Sequence, residues 1–221
     1  MSEEYLNFIS GKWVKSESNE TFRNFNPADT TKSSGSFQLS NREDVKEAIS
    51  SASQAFPKWR STPSPQRGKI LSTAADILEA QFEEHSRTLT EEEGKTLPES
   101  KGEVQRAIEI FRFYAGQGTR LGGKTLDSGT TRTFLYTVRE PLGVVAVMTP
   151  WNFPIAIPAW KIAPALICGN TVVFKPASLT PLIAQKLVVA LEKAGLPPGV
   201  LNYVTGPGST VGNELATNKE I

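Results

Sequence analysis

The sequence predicts an α/β fold with a parallel sheet, because strands and helices alternate along the second half of the chain. From Gly143 onward, three short β-branched runs are each followed by a segment with helical periodicity. The runs are GVVAVMT, TVVFK and LNYVTG, and the helical segments are PIAIPAWKIAPALICG, PLIAQKLVVALEKAG and STVGNELATN. This alternation is the sequence form of right-handed βαβ units in a parallel sheet. A length of 221 residues also allows one large domain, or one domain and part of another.

The N-terminal part of the chain has a different pattern. Residues 5–39 alternate β-like runs with Gly, Asn and Pro, which predicts a small antiparallel meander. Three helices are expected next, because apolar residues recur at helical spacing. They cover residues 40–59, 66–82 and 99–116. Ser40 and Asn41 are candidate N-caps of the first helix. We interpret the apolar stripes as core faces and not as cofactor-binding segments.

The segment RTFLYTVREPLG, which follows the pair Gly122-Gly123, predicts a strand with bulky residues on both faces. Such a strand is expected at a sheet edge or between subunits. A sheet of only three parallel strands would leave one face and one edge uncovered. Because the chain stops at TNKEI, just after the third helix of this sheet, we expect it to be part of a longer protein.

Composition and charge argue against several classes of function. The 24 basic and 23 acidic residues leave a net charge of +1, so neither nucleic acid nor an anionic membrane is expected as a partner. The N-terminus lacks the pattern of a signal peptide, and the apolar runs are interrupted by Lys161 and by prolines, so no membrane span is expected. The single cysteine, Cys168, excludes an internal disulfide framework and favours a soluble cytoplasmic protein. The only histidine, His85, argues against a His-based metal site or a Ser-His-Asp triad and is expected on a helix or at the surface.

The stretch TPWNFP follows the first parallel strand and holds an asparagine between two aromatic residues and two prolines. Ligands on parallel sheets bind beyond the carboxyl ends of the strands, and Asn152 lies at such an end. Two roles fit Asn152: its side chain can cap the following helix, or its amide N–H can donate to an oxyanion that develops during a reaction. Trp151 and Phe153 favour the second role, since they would exclude water, but both roles stay open.

The other two strand ends carry residues that suit a nucleotide. In VVFKPAS, Lys175 is the first charge after an apolar strand, and Ser178 follows three residues later. A lysine there is either a solvated strand terminus or a partner for a ribose or phosphate, to which Ser178 can also donate. In VTGPGSTVG, the residues Gly206, Gly208 and Gly212 loosely match the dinucleotide fingerprint, with one residue too many before the last glycine. A tight turn into a helix also accounts for that pattern.

Five motifs occur in one order over nearly all of the chain. They are FISGKWV, NFNPAD, EEEGKTLPES, REPLGVVAVMTPWNFPIAIPAWKIAPALICGNTVVFKPAS and EKAGLPPGVLNYVTGPG. In these motifs the chain resembles the N-terminal half of the NAD(P)-dependent aldehyde dehydrogenases. The resemblance implies a Rossmann-like parallel-sheet cofactor domain, incomplete at its C-terminus, with N-terminal helices and a small β oligomerisation element. Residues 1–121 and 141–221 would form the NAD(P)-binding domain and residues 122–140 the oligomerisation strand region, with the catalytic domain outside this chain.

The resemblance also implies roles for individual residues. The expected catalytic residues are Asn152, which matches the family's oxyanion asparagine, and Lys161, which matches a hydrogen-bonding residue of the substrate tunnel. Phe153 and Trp160 are expected in the tunnel wall. The expected cofactor-binding residues are Thr149, Pro150, Trp151, Asn152, Lys175, Ser178, Gly208 and Ser209. The family binds adenine at the last two, and leaves the pyrophosphate to a later helix.

The family's catalytic cysteine, general-base glutamate and Phe-Thr-Gly-Ser turn have no counterpart in these residues. Cys168 follows an apolar helix with no base nearby, and is expected to be a buried structural thiol. The resemblance implies oxidation of an aldehyde to a carboxylic acid with NADP or NAD, through a cysteine thiohemiacetal, in a homodimer or homotetramer without a metal. The 221 residues alone are expected to be inactive. The alternatives are a non-catalytic nucleotide-binding or assembly module and a truncated fragment.

Two positions bear on substrate and cofactor. The chain is most similar to semialdehyde dehydrogenases of the α-ketoglutarate semialdehyde (2,5-dioxovalerate) type. Trp160 stands where succinate-semialdehyde enzymes have an arginine, so an apolar wall is expected there. Another carboxylate anchor, either Arg112 or a residue of the missing half, is left open. Ser178 stands where NAD-selective members have a glutamate, so NADP⁺ is expected to be accepted and preferred.

Overall fold

The computed structural model of the protein describes residues 3–221, which form strands, α-helices and one π-helical turn. The strands are β1 (Glu4–Tyr5), β2 (Asn7–Ile9), β3 (Lys12–Val14), β4 (Thr21–Asn26), β5 (Asp29–Gln38), β6 (Thr125–Leu126), β7 (Leu135–Tyr136), β8 (Val144–Met148), β9 (Thr171–Lys175) and β10 (Leu201–Tyr203). The helices are α1 (Arg42–Ser61), α2 (Ser64–Ala80), α3 (Phe82–Glu93), α4 (Leu97–Gln117), α5 (Ala156–Ile167), α6 (Pro181–Lys193) and α7 (Asn213–Thr217), and the π-helical turn is Gly208–Gly212.

The central sheet has the strand order β3-β2-β10-β9-β8, in which β8, β9 and β10 are parallel. The pairing of β8 with β9 puts Met148 beside Lys175 at their carboxyl ends. Of the two edges of the three parallel strands, that of β10 is covered, because β2 pairs with it in the antiparallel sense, Phe8 opposite Tyr203, whereas β8 lies at the edge of the sheet. The N-terminal hairpin β2-β3 therefore completes this side of the sheet, through a long-range pairing that no local pattern indicates.

The predicted antiparallel meander over residues 5–39 is wrong in its connectivity. Strands β2 and β3 belong to the central sheet, whereas β1, β5 and β4 form a second sheet in that order. Strand β4 is antiparallel to β5, but β1 is parallel to it, and the rings of Tyr5 and Phe37 stack with centroids 4.9 Å apart. Alternating runs predict that strands exist, whereas the partner of each strand is decided by side-chain packing across the sheet.

Helix α1 begins where the sequence predicts. The side chain of Asn41 accepts hydrogen bonds from the backbone N–H groups of Glu43 and Asp44, and the Asp44 carboxylate accepts one from the N–H of Asn41, which is a capping box. Helix α3 is a separate helix that the apolar pattern does not predict. Its buried face consists of His85, Ser86, Leu89 and Glu92, so it has almost no apolar periodicity.

Strand β9 is buried on both faces between two helical layers. Val173 packs with Val45 and Ala48 of α1 on one face. Val172 and Phe174 face the opposite side, where they join a larger cluster with residues of α2, α4, α5 and α6. A mostly parallel sheet covered by helices on both faces confirms the predicted α/β, Rossmann-like class.

Of the two side chains whose surroundings the sequence predicts, only Cys168 differs from its expectation. Cys168, expected to be buried, is exposed at the C-terminal cap of α5, because the helix ends one residue before it. His85 lies on a helix as expected, but it is buried and not at the surface.

The segment RTFLYTVREPLG forms a shorter strand than predicted. Only Leu135 and Tyr136 are paired, in the small hairpin of β7 with β6. Several large apolar side chains around this hairpin are exposed, namely Leu126, Phe134, Tyr136, Val138 and Leu142. None of the helices in the described part of the chain combines the length and the apolar character needed to cross a bilayer.

Candidate active site

The three parallel strand ends meet at one edge of the sheet. The N–H of Thr149 donates to the carbonyl of Lys175 at 3.2 Å, which joins the ends of β8 and β9. The hydroxyl of Ser178 donates to the carbonyl of Gly206 at 3.2 Å, which joins the segments after β9 and β10. The structure therefore brings together the three segments that the sequence singled out separately, at the edge where parallel sheets bind ligands.

Asn152 does not cap helix α5. The N-cap position is Ile155, which makes no side-chain capping bond, and the amide of Asn152 makes no hydrogen bond to residues 3–221. The capping role that the sequence left open is therefore wrong. The side chain is exposed at the strand end, where its N–H groups are available to a ligand. Trp151 and Phe153 are 52% and 42% exposed, so these two rings do not by themselves exclude water.

Glu103 and Lys95 both contact the backbone of the loop that contains Asn152. The Glu103 carboxylate accepts hydrogen bonds from the N–H groups of Ile155 and Ala156, at 3.0 and 3.1 Å, and so caps α5. Lys95 forms ion pairs with Glu103 and Glu93, donates to the carbonyl of Asn152 at 3.0 Å, and lies 4.6 Å from the centre of the Phe153 ring. The ammonium and the carboxylate are both largely buried. They fix the carbonyl of Asn152 and the backbone that follows it.

A second buried glutamate caps the next helix of the sheet. Glu92 accepts hydrogen bonds from the N–H groups of Leu182 and Ile183, at 2.6 and 2.8 Å, and from the amide of Asn24 at 3.1 Å. Burial raises the pKa of Glu92 to about 8, and these hydrogen bonds act in the opposite direction. Helices α5 and α6 therefore both begin at protein carboxylates, and neither N-terminus is free to bind a phosphate. This argues against a pyrophosphate site at these two strand ends.

Lys175 is a buried cation with spare donors. Only 8% of the residue is exposed, burial lowers its pKa, and its ammonium donates to the carbonyl of Pro176 at 2.8 Å as its one partner within residues 3–221. The hydroxyl of Thr149, at the end of the adjacent strand, is buried without a hydrogen-bond partner in the same part of the chain. Buried polar groups normally have partners. These two side chains therefore fit a polar ligand such as a ribose.

Among the glycines after β10, Gly206 is the one that the turn requires. Gly206 has a φ of +145°, and a Cβ atom there would come within 2.7 Å of Val211, so this position requires glycine. A Cβ on Gly212 would touch Met148 and Lys175 at ordinary contact distances, whereas one on Gly208 would meet no atom within 4 Å. The turn interpretation accounts for Gly206, and the exposed backbone at Gly208 and Ser209 leaves room for a flat ligand.

The remaining predicted residues lie at the surface around this edge. Pro150 is exposed, and Trp151 lines a small cleft of about 210 Å³ with Leu179 and Thr180. Trp160 and Lys161 are exposed on α5, beyond the first turn of that helix.

A groove of about 450 Å³ lies beside Asn152. It is lined by Asn152, Phe153, Lys95 and Arg106, together with acidic residues of α3 and α4. Arg112, suggested as a carboxylate anchor, lies elsewhere on α4. Its guanidinium forms exposed ion pairs with Asp76 and Glu79 of α2, so the structure does not bring Arg112 to this groove.

No role for Lys95, Glu92 or Glu103 was predicted from the sequence. A signal for the two glutamates was present, because each occupies a buried position of a helical stripe. Glu103 lies between Ser100 and Ala107, and Glu92 follows Leu89. A carboxylate at a core position needs several donors, and helix N-termini supply them. Lys95 belongs to the motif EEEGKTLPES but has no distinguishing local pattern. No cluster of potential metal ligands occurs within the described residues.

Comparison with known proteins defines the class of protein. A family model described as the aldehyde dehydrogenase family matches residues 13–221. The α-ketoglutaric semialdehyde dehydrogenase of Bacillus subtilis is 50% identical over 212 residues, which are 96% of this chain and 43% of that protein. The α-ketoglutarate semialdehyde dehydrogenase of Haloferax volcanii is 48% identical over 219 residues, 99% of this chain and 45% of that protein. The chain belongs to the aldehyde dehydrogenase family, and spans a little under half the length of these relatives.

Solved structures agree with this classification. An NADP-dependent enzyme from E. coli superposes with a TM-score of 0.96 at 35% identity, over 99% of this chain and 45% of that chain. The NADP-dependent glyceraldehyde-3-phosphate dehydrogenase from Bacillus halodurans C-125, complexed with NADP, gives a TM-score of 0.93 at 36% identity, over 99% and 47%. The resemblance drawn from the sequence motifs is confirmed.

Proposed function

We propose that this chain supplies the N-terminal, cofactor-binding half of an NAD(P)⁺-dependent aldehyde dehydrogenase that acts on semialdehydes. The overall reaction converts an aldehyde, NAD(P)⁺ and water into a carboxylic acid, NAD(P)H and a proton. The observation that carries the proposal is the exposed, unpartnered amide of Asn152, within residues 3–221, at the edge where three parallel strands end. The α-ketoglutarate semialdehyde and malonate-semialdehyde dehydrogenases among the relatives support the substrate class.

In this proposal Asn152 donates a side-chain N–H to the oxygen of the aldehyde carbon as that oxygen gains negative charge. A donor held rigidly in place is more effective than one that must reorient, and such a donor contributes about 10²–10³ in rate. The bonds from Glu103 and Lys95 to the flanking backbone supply this rigidity. Phe153 and Trp160 would form apolar walls of the substrate tunnel, with Lys161 as hydrogen-bond support.

The cofactor supplies the hydride acceptor. Lys175 would bond its adenosine ribose with the donors that the protein leaves free, and Thr149, Pro150 and Trp151 would lie along it. Gly208 and Ser209 would pack against the adenine. We propose NADP⁺ as the preferred form and NAD⁺ as accepted, because Ser178 places no negative charge near the ribose 2′ position. The B. halodurans relative, whose structure is a complex with NADP, is compatible with this choice.

We propose that residues 1–221 do not oxidise aldehydes by themselves. Their one cysteine, Cys168, follows the last residue of α5, whereas Asn152 precedes the first. A helix of this length separates the two by about 18 Å. That thiol cannot form an adduct whose oxygen reaches Asn152, so the nucleophile and its base must be supplied by other residues of the protein.

Residues 122–140 are proposed to join subunits in a homo-oligomer, with residues 1–121 and 141–221 as the cofactor domain. The exposed apolar side chains around β6 and β7 support this division. They equally support the second candidate function, a non-catalytic nucleotide-binding or assembly module. A cytoplasmic location is proposed from the single cysteine.

Two measurements test the proposal. Titration calorimetry of the 221-residue chain is expected to detect NADP⁺ binding, and Lys175→Met is expected to weaken it about 10-fold, the loss of roughly one charge-assisted hydrogen bond.

The second measurement is aldehyde-dependent formation of NAD(P)H by the protein as its gene encodes it. Asn152→Ala is expected to lower kcat about 10²–10³-fold. Undiminished turnover in this variant would exclude the oxyanion role. Nucleotide binding without oxidation of any aldehyde would favour the non-catalytic module.

A further inference from the structure

The groove beside Asn152 contains five charged side chains, four of which are already engaged within residues 3–221. Glu103 binds Lys95 and the N–H groups of Ile155 and Ala156. Glu93 is paired with the same lysine at 2.9 Å.

The third carboxylate, Glu99, accepts hydrogen bonds from both the backbone N–H and the hydroxyl of Thr96, at 3.0 and 2.7 Å, in the capping box of α4. Each acid of the groove is therefore bound within the protein. Lys95 and the N–H and O–H groups that donate to these carboxylates partly offset their negative charge.

Arg106 is different. Its side chain is exposed on α4 and lines the groove, and its guanidinium takes part in no ion pair or hydrogen bond within residues 3–221. Arg112 lies on the same helix and is paired with Asp76 and Glu79 of α2. Helix α4 therefore directs Arg112 towards α2, where it is paired. It directs Arg106, which has no partner in the described part of the chain, towards the groove beside Asn152.

We propose that Arg106 binds the carboxylate of a semialdehyde substrate whose aldehyde group lies at Asn152. This inference rests on the proposed function and deepens it, since it names the residue that selects the substrate class. A guanidinium presents parallel N–H donors that match a carboxylate. In a five-carbon semialdehyde the two terminal carbons are separated by four bonds, which gives at most about 5 Å. The groove that Asn152 and Arg106 both line has a volume of about 450 Å³, which is enough room for a molecule of this size.

The test compares two five-carbon aldehydes, 5-oxopentanoate and pentanal, which differ in carrying a carboxylate or a methyl group at the far end. Steady-state kinetics are measured on the protein as its gene encodes it. Arg106→Gln is expected to lower kcat/KM for 5-oxopentanoate about 10- to 100-fold, the loss expected for a hydrogen-bonded charge. Activity towards pentanal is expected to stay within about twofold, because pentanal makes no contact with the guanidinium. Arg106→Lys, which keeps the charge but not the fork, is expected to retain part of the preference.

Arg112→Gln is the matched control, since it removes an arginine from the same helix and is expected to leave the ratio of the two substrates unchanged. A retained pentanal activity also shows that the Arg106→Gln protein is folded. Equal losses on both aldehydes, or no loss on either, would overturn the assignment of Arg106. If the wild-type protein oxidises pentanal with the same kcat/KM as 5-oxopentanoate, the assignment of Arg106 is overturned and the proposed function is left intact. A wild-type protein that oxidises neither aldehyde would overturn both.

Discussion

In the proposed cofactor site, Ser178 would decide whether the ribose 2′ position meets a charge or a hydroxyl. Its side chain is half-buried and donates to the carbonyl of Gly206 at 3.2 Å, so its oxygen keeps lone pairs but its proton is engaged. NADP⁺ selectivity would therefore come from the absence of a carboxylate and from the nearby ammonium of Lys175, more than from donation by the serine itself. This differs from the role assigned to Ser178 on sequence alone.

The variant Ser178→Glu tests this account. Two unit charges about 4 Å apart at an effective dielectric of about 20 interact by roughly 4 kcal/mol, so a carboxylate is expected to reverse the preference towards NAD⁺. Calorimetric titration of the chain with both cofactors measures the ratio. Leu179→Glu, at an exposed neighbouring side chain, controls for an added charge. If the wild type already favours NAD⁺ tenfold, or if Ser178→Glu leaves the ratio unchanged, Ser178 does not read the 2′ position.

His85 makes the stability of the chain sensitive to mild acid. Burial lowers its pKa to about 4, with smaller contributions in the same direction from Lys186 and Lys193 and an opposing one from Glu84. In the unfolded chain the imidazole has its ordinary pKa of about 6.5 and binds a proton more readily. The stabilisation is therefore complete above pH 6.5 and is lost as the pH falls towards 4. His85 by itself is expected to make the protein about 1.4 kcal/mol less stable at pH 5.5 than at pH 7.5, whereas Glu92, whose burial raises its pKa to about 8, acts in the opposite direction over the same range.

Urea unfolding at these two pH values measures the effect. Because His85 is the only histidine, His85→Leu removes this contribution alone, so the stability at pH 5.5 relative to pH 7.5 is expected to be about 1.4 kcal/mol higher in the variant than in the wild type. The same pH dependence in the variant and in the wild type would assign the acid sensitivity to other groups.

Among the elements, α4 and the loop between α3 and α4 support the candidate active site, through Glu103 and Lys95. Lys95→Met would leave the carboxylate of Glu103 buried beside the start of α5 without its cation. Removing one partner of a buried ion pair commonly costs about 3 kcal/mol, and that loss is expected here in urea unfolding. Amide hydrogen exchange is expected to accelerate over residues 152–156, because the backbone there loses its fixed contacts.

Lys101→Met, six residues further on in α4, is the matched control, since it breaks an exposed ion pair with Glu83. Exposed pairs contribute less than about 1 kcal/mol, and exchange over residues 152–156 is expected to be unaffected. Equal destabilisation by the two variants would mean that Lys95 has no special relation to the Asn152 loop.

At the scale of the whole molecule, the hairpin of β6 and β7 exposes apolar side chains that a single copy does not cover. Phe134→Lys combined with Val138→Lys is expected to convert an oligomer to a monomer, because two charges would be buried in the proposed contact. Light scattering after gel filtration gives the mass. Phe113→Lys, an equally exposed position on α4, is expected to keep the oligomer. An unchanged mass for the hairpin variant would place the subunit contact elsewhere.

Local patterns determined a large part of this fold. The β-branched runs at Val144–Met148 and Thr171–Lys175, the apolar helical stripes and the Asn41 cap were all readable, because each depends on residues within about one turn or one strand. The position of Asn152 just after a parallel strand was also readable, since the carboxyl ends of such strands share one edge.

The sequence by itself therefore determined the fold class, the family and the residues at the three strand ends. Only the tertiary structure decided that β2 covers the edge of β10, and that Glu103 and not Asn152 caps α5. It also decided that Arg106 faces the groove while Arg112 is bound to α2. The physical reason is that periodicity and capping act between residues that are near in sequence. A strand edge, a buried carboxylate or a surface cation instead finds its partner in a distant segment, and close packing decides which segment that is.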